Sequence, residues 1–179
     1  MVISSTQTNV SVNNVKNSGS FTATSDPHFF LELSRNLYKN PIRAIIRELL
    51  CNAIDANTEA KVDNDVILHL PTSMDSTFSI EDNGVGMSAN TIINVYTVYG
   101  KSTKSGENDS IGGFGLGSKT PFAYTKQLVV ESSKDGIKNT YVFYLNEEGT
   151  PSYTLVNSEM CEKSGTKISF KIKSCITEV

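Results

Sequence analysis

The chain has 179 residues, 38% of them hydrophobic and 20% charged, a balance that fits one soluble globular domain with a core of its own. A net charge of −3 without a basic stripe weighs against a nucleic-acid-binding surface. No run approaches the ~18–20 apolar residues of a membrane span, and the first 20 residues have no basic-then-apolar leader pattern.

Residues 1–24 are rich in Ser, Thr, Asn and Val and read as a β-prone extension, with the main domain running over 25–179. Ser25-Asp26-Pro27 has the form of a helix start, and Phe29, Phe30, Leu33 and Leu37 follow at helical spacing. Asn40-Pro41 opens a second helix whose apolar stripe is Ile42, Ile45, Ile46, Leu49 and Ala53. On that helix Glu48, Asn52 and Asp55 fall at i, i+4 and i+7 and form a polar ridge beside the stripe. Val66–Leu70 and Thr77–Ile80 read as neighbouring strands, the second running into a turn at Asp82. Ser88 caps a short helix over 89–98. Residues 100–117 are rich in Gly, Ser and Lys and read as a mobile loop, followed by a helix over 117–124 that Pro121 interrupts. Segments 127–132, 139–145, 152–156 and 166–173 have the character of antiparallel strands, with turns at Asp135-Gly136 and Glu148-Gly149. Lys163, Lys167, Lys171 and Lys173 read as solvent-facing residues on an edge strand. Helices mixed with strands, then a run of strands, predict an α+β two-layer sandwich: a mixed, mostly antiparallel sheet with helices on one face.

The three cysteines, Cys51, Cys161 and Cys175, are odd in number and lack metal-ligand spacing, so neither a disulfide framework nor a zinc site is expected. His28 and His69 stand alone and read as surface or packing residues. The expected compartment is reducing and cytoplasmic.

Three separated segments carry the chemistry: Arg47 to Ala56, Glu81 to Met87, and Gly112 to Thr120. A P-loop is excluded, because Gly112 to Gly117 has its glycine spacing but Ser118 stands where the lysine belongs. A dinucleotide fold fails too, since no βαβ unit precedes Gly113-x-Gly115-x-Gly117. A site assembled from separate segments remains. Asp82, at the end of a strand, is able to accept a hydrogen bond from an exocyclic amine, and Gly84 and Gly86 let the chain turn and let a flat ring approach. Backbone N–H groups of Gly113, Gly115 and Gly117, running into a helix, suit phosphate oxygens. Asn52 offers a neutral oxygen to Mg²⁺, and Glu48, one turn back, is placed to orient or deprotonate an attacking water.

Glu48-x3-Asn52-x2-Asp55, Asp82-x-Gly84-x-Gly86, Gly113-x-Gly115-x-Gly117 and Gly165-Thr166 together resemble the four motifs of the GHKL ATPases, the superfamily of gyrase B subunits, heat-shock chaperone ATPases, histidine kinases and MutL. The likeness covers about residues 25–173. Ile111 to Gly117 and Gly165-Thr166-Lys167 most resemble the chaperone version. A closer likeness, to the N-terminal part of phage rIIA proteins, rests on Asn36-Leu37-Tyr38, Ile42-Arg43-Ala44, Arg47-Glu48-Leu49 and Ile111 to Lys119. The resemblance implies the Bergerat fold, with Mg²⁺ and ATP lying between sheet and lid. It implies Glu48 as general base, Asn52 as metal ligand and Asp82 as the adenine-reading carboxylate. Gly86 and Thr166 would support the adenine, partly through water, with Met87 packed near it. Asp55 holds a motif position, Lys101 is a candidate phosphate contact, and Gly84, Gly113, Phe114, Gly115, Leu116 and Gly117 complete the cofactor-binding set. An intact Glu48 sets the chain apart from the histidine-kinase branch.

In the related ATPases a lysine or arginine from a following domain completes hydrolysis, so slow turnover is expected of these 179 residues by themselves. The implied function is a Mg²⁺-dependent nucleotide switch of a phage rIIA-like protein in the host cytoplasm. Homodimerisation through the N-terminal strand or lid, and a host or phage protein partner, go with it. The alternative is a regulatory protein, or a decoy that contacts a host GHKL enzyme, without significant turnover.

Overall fold

Asn40 and Pro41 open the first of the described helices, Asn40 as its cap and Pro41 in its first turn. In the computed structural model, which describes residues 40–98 and 117–172, the Asn40 side-chain oxygen accepts the Arg43 N–H at 3.1 Å. Pro41 takes the first turn, where its missing N–H costs nothing. Helix α1, Pro41–Ala60, ends at Lys61, which adopts the left-handed conformation (φ 54°) and donates its N–H to the Asn57 and Thr58 carbonyls. Its buried stripe is Ile45, Leu49, Ala53 and Asn57. Ile42, expected on that stripe, is 46% exposed, because burial begins only at Ala44 and Ile45. The expected N-terminal extension, the helix after Pro27 and the glycine-rich loop with Lys101, Gly113, Phe114, Gly115 and Leu116 lie outside the described residues.

The strands are β1 (Ile67–His69), β2 (Thr77–Glu81), β3 (Gln127–Lys134), β4 (Ile137–Leu145), β5 (Pro151–Met160) and β6 (Gly165–Lys171). They form one six-stranded sheet in the order β1-β2-β6-β3-β4-β5, antiparallel at each pairing. Asp135 and Gly136, at φ 53° and 83°, make the primed turn that two-residue hairpins favour. Ser88 caps the short helix α2, Ala89–Thr91, by accepting the Thr91 N–H, and α2 continues into a π-helical turn, Ile92–Tyr96. The segment expected as a helix after the glycine loop is a 3-10 helix, Gly117–Ala123, because Pro121 inside it supplies no N–H.

Alternation along the central strands builds the core. Phe78 faces Phe170 with ring centroids 5.1 Å apart, and Ile80, Ile168, Val130 and Tyr141 form the next row. Against this face lie Ile45, Leu49 and Ala53 of α1, Ile92 of the π turn and Phe122 of the 3-10 helix. One helix layer on one antiparallel sheet is the expected α+β sandwich. The lysine expectation needs correction. β6 lies between β2 and β3, so Lys167 and Lys171 sit on an interior strand and not on an edge. They are part-exposed or exposed, on the sheet face that none of the described helices covers; there Lys167 pairs with Glu81 at 3.1 Å, as Lys138 does with Glu131 at 2.8 Å.

The turn after β2 is locked to α1. Asn57 accepts the Asn83 N–H at 3.0 Å and donates to the Asn64 carbonyl at 2.8 Å. Gly84 lies so close to Ala56 that a Cβ there would collide with its backbone and side chain. Replacing Asn57 by Ala removes the partner of the part-buried Asn83 N–H and of the Asn64 carbonyl and should lower stability by about 1–2 kcal/mol. Gly84→Ala should have a similar cost through overpacking. Urea-unfolding midpoints of the two variants against the parent check both values.

Candidate functional site

The alternation that makes the core changes character at its third row. Two residues beyond Ile80 stands Asp82, two before Ile168 stands Thr166, two beyond Val130 stands Ser132, and Asn139 faces Ser132 from β4. The same sheet face that is apolar in two rows becomes a row of polar side chains at the end of the helix layer. Asp82 is buried, and its Oδ1 accepts the N–H of Gly84 at 2.9 Å and of Thr166 at 3.1 Å. The Asp82 N–H donates to the Thr166 carbonyl at 2.9 Å, extending the ladder one residue past the strand. Ser132 Oγ, fully buried, accepts the Met87 N–H at 2.8 Å and lies 2.9 Å from Thr166 Oγ1. Asp82, Gly84, Gly86, Met87 and Thr166 are thereby brought into one cluster from β2, its turn and β6.

Helix α1 carries the other candidate residues. Because Ala56 and Asn57 touch the Asp82 turn, Asn52 lies about 6 Å and Glu48 about 12 Å further back along the axis. Glu48, Asn52 and Asp55 are each part-exposed on the helix. Glu48 Oε1 accepts from the Arg47 guanidinium at 2.7 Å, with the Glu48 side chain 18% exposed. Gly117 heads the 3-10 helix, which packs on α1. Among the described residues no three His, Cys, Asp or Glu side chains converge as a metal cage, and no helix is long and apolar enough to cross a membrane.

Residues 40–169 match the model of the histidine kinase-, DNA gyrase B- and HSP90-like ATPase family. The chain belongs to this family. It is therefore an ATP-binding domain of the GHKL type. It is 31% identical over 160 residues to the chaperone protein HtpG of Magnetococcus marinus, covering 76% of this chain and 25% of that protein. To HtpG of Polaromonas sp. it is 30% identical over 164 residues, covering 79% and 26%. To the DNA topoisomerase 4 B subunits of two Staphylococcus epidermidis strains it is 29% identical over 143 residues, covering 74% and 21%. The chain thus spans about a fifth to a quarter of the length of these relatives.

The structure of this ATPase domain bears out the turn expected at Gly86, which stands at φ 60°, and gives both glycines a further reason. A Cβ on Gly84 would meet Ala56, and one on Gly86 (φ 60°) would meet the Ser133 carbonyl. Both glycines are demanded by the protein's own close packing, whatever ring lies nearby. Two polar residues absent from the sequence reading, Asn57 and Ser132, do much of the positioning. Each betrays itself by phase: Asn57 continues the stripe Leu49, Ala53 at i+4, and Ser132 continues Leu128, Val130 at i+2. A buried polar residue at a core position signals a hydrogen-bond requirement.

Lys119, in the 3-10 helix, is buried, donates to the Val98 carbonyl at 2.9 Å and lies 5.9 Å from the Tyr96 ring centroid. Burial lowers its pKa from an ordinary 10.5 to about 8. The unfolded chain then binds this proton more tightly than the folded one, so stability rises with pH from about 8 to about 10.5. Lys119→Met should remove that rise, shifting its stability difference from the parent by on the order of 2–3 kcal/mol across the window, read from denaturant midpoints at each pH.

Proposed function

We propose that this domain binds ATP with Mg²⁺, reads the adenine amine with Asp82, and hydrolyses ATP slowly through Glu48. The observation that carries the reading is the Asp82 row: a buried carboxylate, fixed by two backbone donors, at the polar end of an otherwise apolar sheet face. A carboxylate so oriented is a preorganised acceptor for an exocyclic amine. GTP presents an oxygen at that point and meets it with repulsion. Thr166 lies beside the carboxylate through its N–H, Met87 is tied to the same row through Ser132, and Gly86 packs against the Ser133 carbonyl.

The phosphates would then extend toward Asn52 and Glu48, with Asp55 supporting the helix face. A metal held there would take the Asn52 oxygen together with phosphates and water, a ligand set that suits Mg²⁺ and needs no protein cage. Bound Mg²⁺ supplies neutralisation of phosphate charge. Glu48 takes a proton from water as the water oxygen bonds to the terminal phosphorus, and the bond from that phosphorus to its bridging oxygen breaks to release ADP. Lys101, Gly113, Phe114, Gly115, Leu116 and Gly117 are proposed to cover the phosphates.

The motif likeness to phage rIIA proteins supports a place as the nucleotide switch of a phage rIIA-like protein. A second copy and a host or phage protein are the partners such a switch would act on, in the host cytoplasm. Turnover compared between the parent and a Glu48 variant separates this from a regulatory protein or decoy that does no hydrolysis.

Asp82→Asn keeps an oxygen for the Gly84 and Thr166 N–H groups, so the fold should survive. Asp82→Ala strands both donors and is the poorer test. The parent should prefer ATP over GTP by about 10⁴-fold, and Asp82→Asn should lose most of that preference in a binding titration with Mg²⁺. Equal parent affinity for the two nucleotides would refute the adenine assignment. Glu48→Ala should bind ATP normally and lose about 10²–10⁴-fold of any steady-state phosphate release. Unchanged release would place the base elsewhere.

A further inference from the structure

We infer that Ser132 is a specificity-determining residue, which fixes the direction of the Thr166 hydroxyl proton and makes Thr166 a donor beside the Asp82 acceptor. The inference rests on the adenine reading of Asp82 and Thr166 given above and adds the residue that sets the polarity of the Thr166 contact.

Ser132 Oγ accepts the Met87 N–H at 2.8 Å, so its lone pairs are partly used and its own proton must go elsewhere. Two acceptors are in reach: Thr166 Oγ1 at 2.9 Å and the Gly165 carbonyl at 3.4 Å. An O–H···O bond is normally 2.5–3.0 Å, so the Thr166 oxygen takes the proton. The Met87 N–H strengthens this choice, because a hydroxyl that accepts a bond becomes a better donor. Ser132 is almost completely buried and opposite Thr166 in register, so no water competes for the proton and no alternative rotamer is required.

Thr166, part-exposed, then accepts from behind and has its own proton for the ligand. Its backbone N–H is already committed to Asp82 Oδ1 at 3.1 Å, which holds the two side chains side by side. The result is an acceptor, Asp82, next to a donor, Thr166. Adenine shows the complement: an amine donor at C6 beside the N1 acceptor. The hypoxanthine and guanine edges show the reverse, an O6 acceptor beside an N1–H donor, and are rejected at both points. A bridging water between Thr166 and the ring passes the same polarity on. Met87 enters through its backbone, so its N–H sets the direction of the relay whatever its side chain touches.

The test separates the two points of recognition with ATP and 1-deaza-ATP, which keeps the amine but replaces N1 by C–H. Affinities of the full chain with Mg²⁺ should favour ATP by about tenfold, the worth of one hydrogen bond. In Ser132→Ala the Thr166 hydroxyl loses its bias and the preference should fall to about two- to threefold. Ser132→Thr, which keeps the hydroxyl, should restore it. Thr166→Val should abolish the preference, and adding Ser132→Ala to it should change nothing further. Thermal melts of each variant confirm that the folded protein is being titrated. A Ser132→Ala or Thr166→Val ratio equal to that of the parent overturns the assignment of Ser132. If that occurs while ATP binding still depends on Asp82, the adenine reading stands and only the Ser132 role falls. ATP binding that is indifferent to Asp82→Asn overturns both.

Discussion

Antiparallel register across β2, β6 and β3 is the constraint on which this domain depends. Side chains alternate faces with a period of two, so one register places Phe78 on Phe170 and then sets Ile80, Ile168 and Val130 abreast. That register also leaves no choice about Asp82, Thr166 and Ser132, which must share the next row. A slip of one residue would turn Glu81, Lys167 and Glu131 toward the helices and bury unpaired charge. The energy that forbids the slip comes from the apolar rows, and the polar row inherits its geometry from them.

The bonds that satisfy this buried polar row also fix the side chains proposed to read the nucleotide. Asp82 gives Oδ1 to two backbone donors, which keeps the carboxylate from rotating and caps the turn that carries Gly84. Ser132 satisfies the Met87 N–H and touches the Thr166 hydroxyl. The structural demands and the proposed function thus fall on the same atoms. Conservative replacements such as Asp82→Asn therefore discriminate between them, while truncations mix the two.

Asn57 joins the helix to the turn after β2. It is the residue through which α1, bearing Glu48, Asn52 and Asp55, is fixed relative to the Asp82 turn. Close packing of Ala56 on Gly84 sets the distance and the Asn57 amide sets the angle. The sheet face opposite the described helices has a different logic. There Glu81–Lys167 and Glu131–Lys138 pairs are part-exposed and cross between strands, contributing little to stability while keeping that face wet.

The sequence by itself determined the order of the elements, the caps at Asn40 and Ser88, the antiparallel run of strands and the Asp-x-Gly-x-Gly turn. Each rests on contacts within a few residues, where side-chain type and spacing act directly. The family was legible for the same reason, since its motifs are short and separately recognisable. Only the tertiary structure decided that β6 lies between β2 and β3, which turned Lys167 and Lys171 from edge residues into residues of an interior strand. It alone showed that Gly84 and Gly86 are required by Ala56 and by the Ser133 carbonyl. It also brought in Ser132, 50 residues from Asp82 in the chain, as a member of its row. Strand order and cross-strand register are set by pairings between distant segments, and local sequence pattern fixes the phase of each strand but not its neighbour.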